Sequence, residues 1–164
     1  MKLHGRAVVI RQDDVDTDVL FPGQFLNITE VEKMTPHLFE GLDPSLRDQL
    51  GGDTALVVGS NFGTGSSREH VPQAMSAWGV RCVLGHSFAR IFYRNCINLG
   101  LPIVTCPEAV TAAHDGSAID IDTDSGAVTV DGQAFQAVPI PEFMLAMIGA
   151  GGLVPYAQQQ LASR

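Results

Sequence analysis

The chain has 164 residues, 45% of them hydrophobic, and carries 18 Asp+Glu against 10 Lys+Arg for a net charge of −8. That apolar content suffices for one good core, most simply a single domain over residues 1–164, and the acidic balance disfavours nucleic acid and anionic membrane surfaces as partners. No apolar run approaches the ~18 residues a membrane span needs. The amino terminus enters a short strand without a small-residue cleavage site, so a cytoplasmic location is expected.

Taken in chain order, apolar runs predict strands over 6–11, 54–59, 80–84 and 102–105, with the weak alternation of strands buried on both faces. Helical patterns fill two of the gaps, 69–79 and 89–99, the second stopped by Gly100 and Pro102. Strand, helix, strand, helix, strand is the signature of right-handed crossovers in a parallel sheet. From 118 to 138 the pattern changes to short alternating pieces, Ile119-Asp-Ile-Asp122 and Val128-Thr-Val130, joined by Thr123-Asp-Ser-Gly126, with 133–138 following. That predicts an antiparallel meander. Pro141 opens a helix through 148, Gly149, Gly151 and Gly152 break it, and a last turn or helix covers 155–161.

The most informative stretch is Gly59-Ser-Asn-Phe-Gly-Thr-Gly-Ser-Ser-Arg-Glu-His70, directly behind the apolar run Ala55-Leu-Val-Val58. A strand that empties into such a turn suits a carboxylate. Gly63 and Gly65 free the backbone so that successive N–H groups converge, Ser66 and Ser67 add hydroxyls, and Arg68 supplies a planar fork. The following helix would aim its positive end at the same point. Between residues 60 and 107 the charges are Arg68, Arg81, Arg90 and Arg94 against Glu69 alone, a net +3 in a chain whose remainder carries −11. This favours a small anionic ligand. The plainer alternatives are that some of these arginines are ordinary surface residues and that Ser66 caps the helix.

Several familiar motifs fail. Gly63-Thr-Gly-Ser-Ser-Arg68 lacks the third glycine and the later acid of a dinucleotide site, no lysine precedes a Ser/Thr as in a P-loop, and Ser66 and Ser67 lack the flanks of a hydrolase elbow. Asp14-Val-Asp-Thr-Asp18 lacks the glycine and glutamate of a calcium loop, so its aspartates are expected to organise a turn. The three cysteines, Cys82, Cys96 and Cys106, form no CxxC pair and sit in apolar surroundings, as core thiols do. Five histidines show no metal-binding spacing, so no metal site is expected on this chain.

Taken together, Asp14-Val-Asp-Thr-Asp18, residues 61–70, Ser87-Phe-Ala-Arg-Ile-Phe-Tyr-Arg-Asn95 and Gly151-Gly-Leu-Val-Pro-Tyr156 closely resemble the small subunits of 3-isopropylmalate dehydratases. The resemblance spans nearly the whole chain, and it extends to the mobile fourth domain of aconitase through the Gly-Ser-Ser-Arg-Glu-His stretch. It implies an α/β fold, a swivelling β/β/α domain with a parallel sheet, flanking helices and a smaller antiparallel sheet. It also implies half of a hydro-lyase, here for isopropylmalate in leucine biosynthesis, with related dehydratases of methyl-substituted malates or homoaconitate as alternatives. The partner would be a large subunit whose cysteines hold a four-iron four-sulfur cluster, with no cofactor on this chain.

By the same resemblance Ser66 would be the base, acting as an alkoxide, with Ser67 and Arg68 binding the carboxylate of a small dicarboxylate substrate and Gly65 and Thr64 also expected to bind the substrate. Asn27, in Phe21-Pro-Gly-Gln-Phe-Leu-Asn-Ile28, aligns with the residue that discriminates substrates in this family. A neutral amide there disfavours a third carboxylate. A stand-alone carboxylate-binding domain is the reading from another class, and it would have no need of Ser66.

Overall fold

The computed structural model describes residues 1–164. Four parallel strands, β1 (Lys2–Ile10), β2 (Thr54–Val58), β3 (Val80–Gly85) and β4 (Ile103–Thr105), and three antiparallel ones, β5 (Ala118–Asp122), β6 (Ala127–Val130) and β7 (Gln133–Gln136), form one sheet. Its order is β4-β3-β2-β1-β5-β6-β7. The expected parallel and antiparallel parts are therefore two halves of a continuous sheet, and β1 belongs to both. It pairs with β2 in parallel from Arg6 to Ile10 and with β5 in antiparallel from Lys2 to Arg6. The strand starts at Lys2, earlier than its apolar run, because Lys2–Gly5 answer only to β5.

Alternation along the strands sends side chains to two cores. Val8, Ile10, Leu56, Val58 and Val83 face one, with Phe21, Phe39, Phe62, Met75, Phe92 and Cys96. Ala7, Ala55, Val57, Cys82 and Leu84 face the other, shared with Ile119, Ile121, Val128 and Val130 of the antiparallel half. In a flat sheet β6 would lie about 19 Å from β3, at roughly 4.8 Å per strand. Their common core requires the sheet to curl. The curl is nearly complete: just past β7, the Val138 N–H donates to the Thr105 carbonyl of β4 at 2.9 Å, bringing the two edges together.

The first core is roofed by helices. α1 (Thr17–Leu20) and α2 (Val31–Met34), with short 3-10 helices at Gly23–Phe25, Thr35–His37 and Pro44–Gln49, make up the long crossover from β1 to β2. α3 (His70–Trp78) and α4 (Arg90–Asn98) are the two crossover helices expected. Gly79 ends α3 at φ 106°, where an added Cβ would lie 2.3 Å from the Gly51 carbonyl oxygen. Each of Phe21, Phe39 and Phe62 is fully buried, worth about 2–3 kcal/mol apiece.

The remaining helices refine the sequence pattern. α5 (Pro107–Ala112) was not anticipated; Pro107 starts it, and the Arg11 guanidinium donates to the Val110 and Ala113 carbonyls at its end. α6 (Glu142–Ala150) is preceded by Pro141 as its N-cap and runs through Gly149. Its stop is Gly151, in the left-handed region at φ 96°. α7 (Leu153–Ala162) then continues the chain over a longer span than 155–161. No helix is long and apolar enough to cross a membrane.

Candidate active site

The turn after β2 lies at the carboxyl ends of parallel strands, where open α/β sheets bind ligands. It is stitched to two other segments. The Val15 carbonyl accepts from the N–H groups of Gly63 at 2.9 Å and Thr64 at 3.2 Å, and the Thr17 N–H donates to the Thr64 carbonyl at 2.8 Å. The Thr17 hydroxyl donates to the Ser66 carbonyl at 2.8 Å. On the other side, Phe62 bonds with Ser87 and Ala89 through the backbone. Residues 13–18, 59–68 and 86–89, far apart in sequence, thus form one floor.

The aspartate block works mostly as a turn organiser, as its spacing suggests. Asp13 accepts from the Ser60 N–H, Asp14 from the Asn61 side-chain amide at 2.9 Å, and Asp16 caps α1 through the Asp18 N–H. Gly63 and Gly65 both sit at φ 88°. A Cβ on Gly63 would fall 2.3 Å from the Phe92 ring, and one on Gly65 would fall 2.7 Å from the Asp16 carboxylate. Close approach as well as backbone conformation therefore demands glycine at these positions.

Ser66 and Ser67 are exposed, and Thr64 is half-buried beside Asp16. The Ser66 Oγ accepts from Arg68 Nε at 3.2 Å. Ser66 does not cap the helix: the N-cap of α3 is Glu69, without a side-chain cap bond. The Ser67 Oγ accepts from Asn95 Nδ2 at 3.2 Å. Asn95, 7% exposed, was missed as a site residue; its signal is a polar side chain on α4 between the core positions Phe92 and Cys96.

Arg68 is the most buried charged side chain here, 8% exposed. Its Nε holds Ser66, one terminal nitrogen donates to the Phe21 carbonyl at 2.7 Å, and the other pairs with the Asp18 carboxylate. Of its five N–H groups, one on each terminal nitrogen is left. Asp18, itself largely exposed, thus lies on the fork where a substrate carboxylate is expected. No local pattern could have marked this contact across fifty residues of chain. Of the other central arginines, Arg81 bonds the Gly52 carbonyl and Arg90 and Arg94 are exposed; of the four, Arg68 is the one hydrogen-bonded within the turn.

Asn27 is exposed, in the loop just past the Gly23–Phe25 turn. Arg68 holds the start of this loop at Phe21, and the Ile28 carbonyl at its end accepts from the ring of His70 at 3.0 Å. The loop that carries Asn27 and the serine turn are therefore tied together. Gly65, Ser66, Ser67 and Asn27 all open to solvent on one chain, and none of the main surface depressions includes residues 60–68. The depression between β1, β5 and β6, about 340 Å³ and lined by Lys2, His4, Asp120 and Thr129, offers only flat strand surface, and the convergent donors of the turn outweigh its volume as a guide to chemistry. Enclosing a substrate over the turn calls for a second surface.

No group of three or more His, Cys, Asp and Glu side chains is placed to hold a metal ion. The cysteines are divided between the two cores, Cys96 in one and Cys82 and Cys106 in the other. Burial pushes the Cys82 thiol up to about 12 and raises Cys96 as well. These are packing residues, unsuited to ligating iron.

The stretch that carries β2, the serine turn, α3, β3 and α4, residues 47–108, matches the family described as Aconitase C-terminal domain. The 3-isopropylmalate dehydratase small subunit 1 of Methanopyrus kandleri is 44% identical over 160 residues, 96% of this chain and 94% of that protein. The 2,3-dimethylmalate dehydratase small subunit of Eubacterium barkeri is 48% identical over 146 residues, 88% of this chain and 90% of its own. The crystal structure of 3-isopropylmalate dehydratase from Methanocaldococcus jannaschii superposes with a TM-score of 0.91 at 33% identity, covering 99% of this chain and 96% of that one. The chain belongs to the family of 3-isopropylmalate dehydratase small subunits.

Proposed function

We propose that this chain is the small subunit of a hydro-lyase that interconverts 2-isopropylmalate and 3-isopropylmalate by dehydration and rehydration, as in leucine biosynthesis. The observation that carries the reading is the Ser66–Arg68 pair, exposed at Ser66 and anchored at Arg68, in a chain that matches such subunits over nearly its full length. Residues 1–164 act as one swivel domain that closes over a large partner subunit in the cytoplasm. The four-iron four-sulfur cluster would sit on that subunit, as the three cysteines of this chain are buried and divided between two cores.

This chain's residues then handle the proton and one carboxylate. Removal of water requires abstraction of a proton alpha to a carboxylate. Ser66 Oγ is the base, and the cationic Nε–H of Arg68 favours its deprotonated form. Ser67, oriented by Asn95, and the two remaining N–H groups of Arg68 hold the substrate carboxylate as charge builds on it. Gly65 and Thr64 shape the turn, and neutral Asn27 faces the alkyl substituent. A second reading, a dehydratase of methyl-substituted malates, is favoured by the 48% identity to the dimethylmalate relative. Comparing kcat/KM on isopropylmaleate, dimethylmaleate and cis-aconitate in the reconstituted complex separates the two, with isopropylmaleate expected to lead. Asn27→Arg is expected to gain activity on the tricarboxylate, and unchanged preference would remove Asn27 from this role.

A further inference from the structure

Two residues apart in the same turn, Arg68 and His70 grip the two ends of the loop that carries Asn27. Arg68 takes the Phe21 carbonyl and His70 takes the Ile28 carbonyl. A carbonyl can only accept, so Nε2 of His70 carries the hydrogen. The other ring nitrogen, Nδ1, is buried without a partner. The one polar use of this imidazole is therefore its bond to the loop.

The ring does a second thing. It stacks on Phe21 at 5.1 Å between centroids and 22° between planes, Phe21 meets Phe25 edge-on at 6.3 Å, and Phe25 stacks on His37 at 3.6 Å. Phe21 is fully buried, whereas Gly23, Gln24, Leu26 and Asn27 are exposed. The loop thus has a fixed aromatic base and an exposed rim, and His70 touches both its first ring and its last carbonyl. Being the first residue of α3, the histidine is set by the helix that starts two residues after Arg68.

We infer that His70 is a positioning residue for substrate discrimination: it fixes the loop 21–28, and so the place of Asn27, relative to Ser66 and Ser67. This rests on the reading of Asn27 as the residue facing the substrate's alkyl group. His70 itself touches no substrate.

The test pairs two variants with two readouts. His70→Phe keeps a stacking ring and loses the donor; His70→Gln keeps a donor and loses the aromatic stack. In the isolated chain, amide hydrogen exchange over residues 22–29 is expected to rise roughly tenfold in His70→Phe, the effect of one lost hydrogen bond, with β2 exchange unchanged as the control for folding. His70→Gln restores part of that protection. In the complex with the large subunit, His70→Phe is expected to raise KM and to narrow the kcat/KM ratio between isopropylmaleate and dimethylmaleate by about tenfold, with kcat on the better substrate changed far less. Wild-type loop exchange in both variants, or an equal loss of kcat on both substrates with an unchanged ratio, would overturn the inference. Failure of the wild-type complex to hydrate either compound would instead sink the enzymatic reading, and the exchange comparison would still decide whether His70 holds the loop.

Discussion

The two halves of the sheet differ in their strands, buried on both faces in β2 but alternating between buried and exposed in β5, and above all in what their connections do. In the parallel half each strand must be followed by a long crossover, and the chain that leaves β2 and β3 at their carboxyl ends, residues 59–68 and 86–89, is free to meet residues 13–18 and form the serine turn. In the antiparallel half the strands are joined by tight turns, such as Thr123 to Gly126, that satisfy themselves. The Gln136 side-chain amide donates to the Ser125 carbonyl at 2.9 Å, and the Asp122 carboxyl is held below its usual range by the backbone N–H of Asp124. Nothing chemical is assembled there. Its contribution is to curl round, meet β4 and close the second core. Non-local connections make room for a site; local ones make a wall.

This contrast can be broken experimentally. The largest effect is expected from Ser66→Ala, which should lower kcat about a thousandfold, within the range for loss of a general base, while leaving thermal stability and assembly with the large subunit intact. Loss of assembly would make the serine structural. The mirror image is Ile121→Ala in β5, 3% exposed. It should cost about 2–5 kcal/mol of stability in a urea titration and leave kcat of the folded complex unchanged.

A smaller effect sharpens the picture of the second core. Cys82 ionises in the unfolded chain near its ordinary value of 9.0 but in the folded chain only at about 12. The folded-state value is raised, so the stability linked to the neutral thiol is complete below pH 9 and is lost as pH rises towards 12. The urea midpoint should fall across that window, and Cys82→Ala should make the fall shallower. The smallest change is Gln136→Ala, expected to cost about 1 kcal/mol and to touch no kinetic parameter.

The parallel half was largely legible from sequence because its information is local. Apolar runs marked β2, β3 and β4, Gly79 and Gly100 marked helix ends, and the glycines at 63 and 65 marked a turn that their close contacts with Phe92 and Asp16 explain. What could not be read depends on distant partners. Lys2–Gly5 are strand only because β5 lies beside them; α5 is short and is finished by Arg11 from across the fold. The meeting of Val138 with Thr105 follows from curl, which no periodicity reports. The same holds in the site. The aspartate block read as a turn, and its Asp16 and Asp14 serve that purpose, but Asp18 on Arg68 and Asn95 on Ser67 are visible only once three segments are brought together.

The central claim is that the serine turn is half of an active site completed by a large subunit. It is tested most directly by anaerobic reconstitution with the cluster-bearing subunit, followed by hydration rates on isopropylmaleate for wild type and Ser66→Ala. The account predicts no turnover from either chain alone, turnover by the wild-type complex, and an assembled Ser66→Ala complex slower by about a thousandfold. Full activity in the Ser66→Ala complex would contradict it.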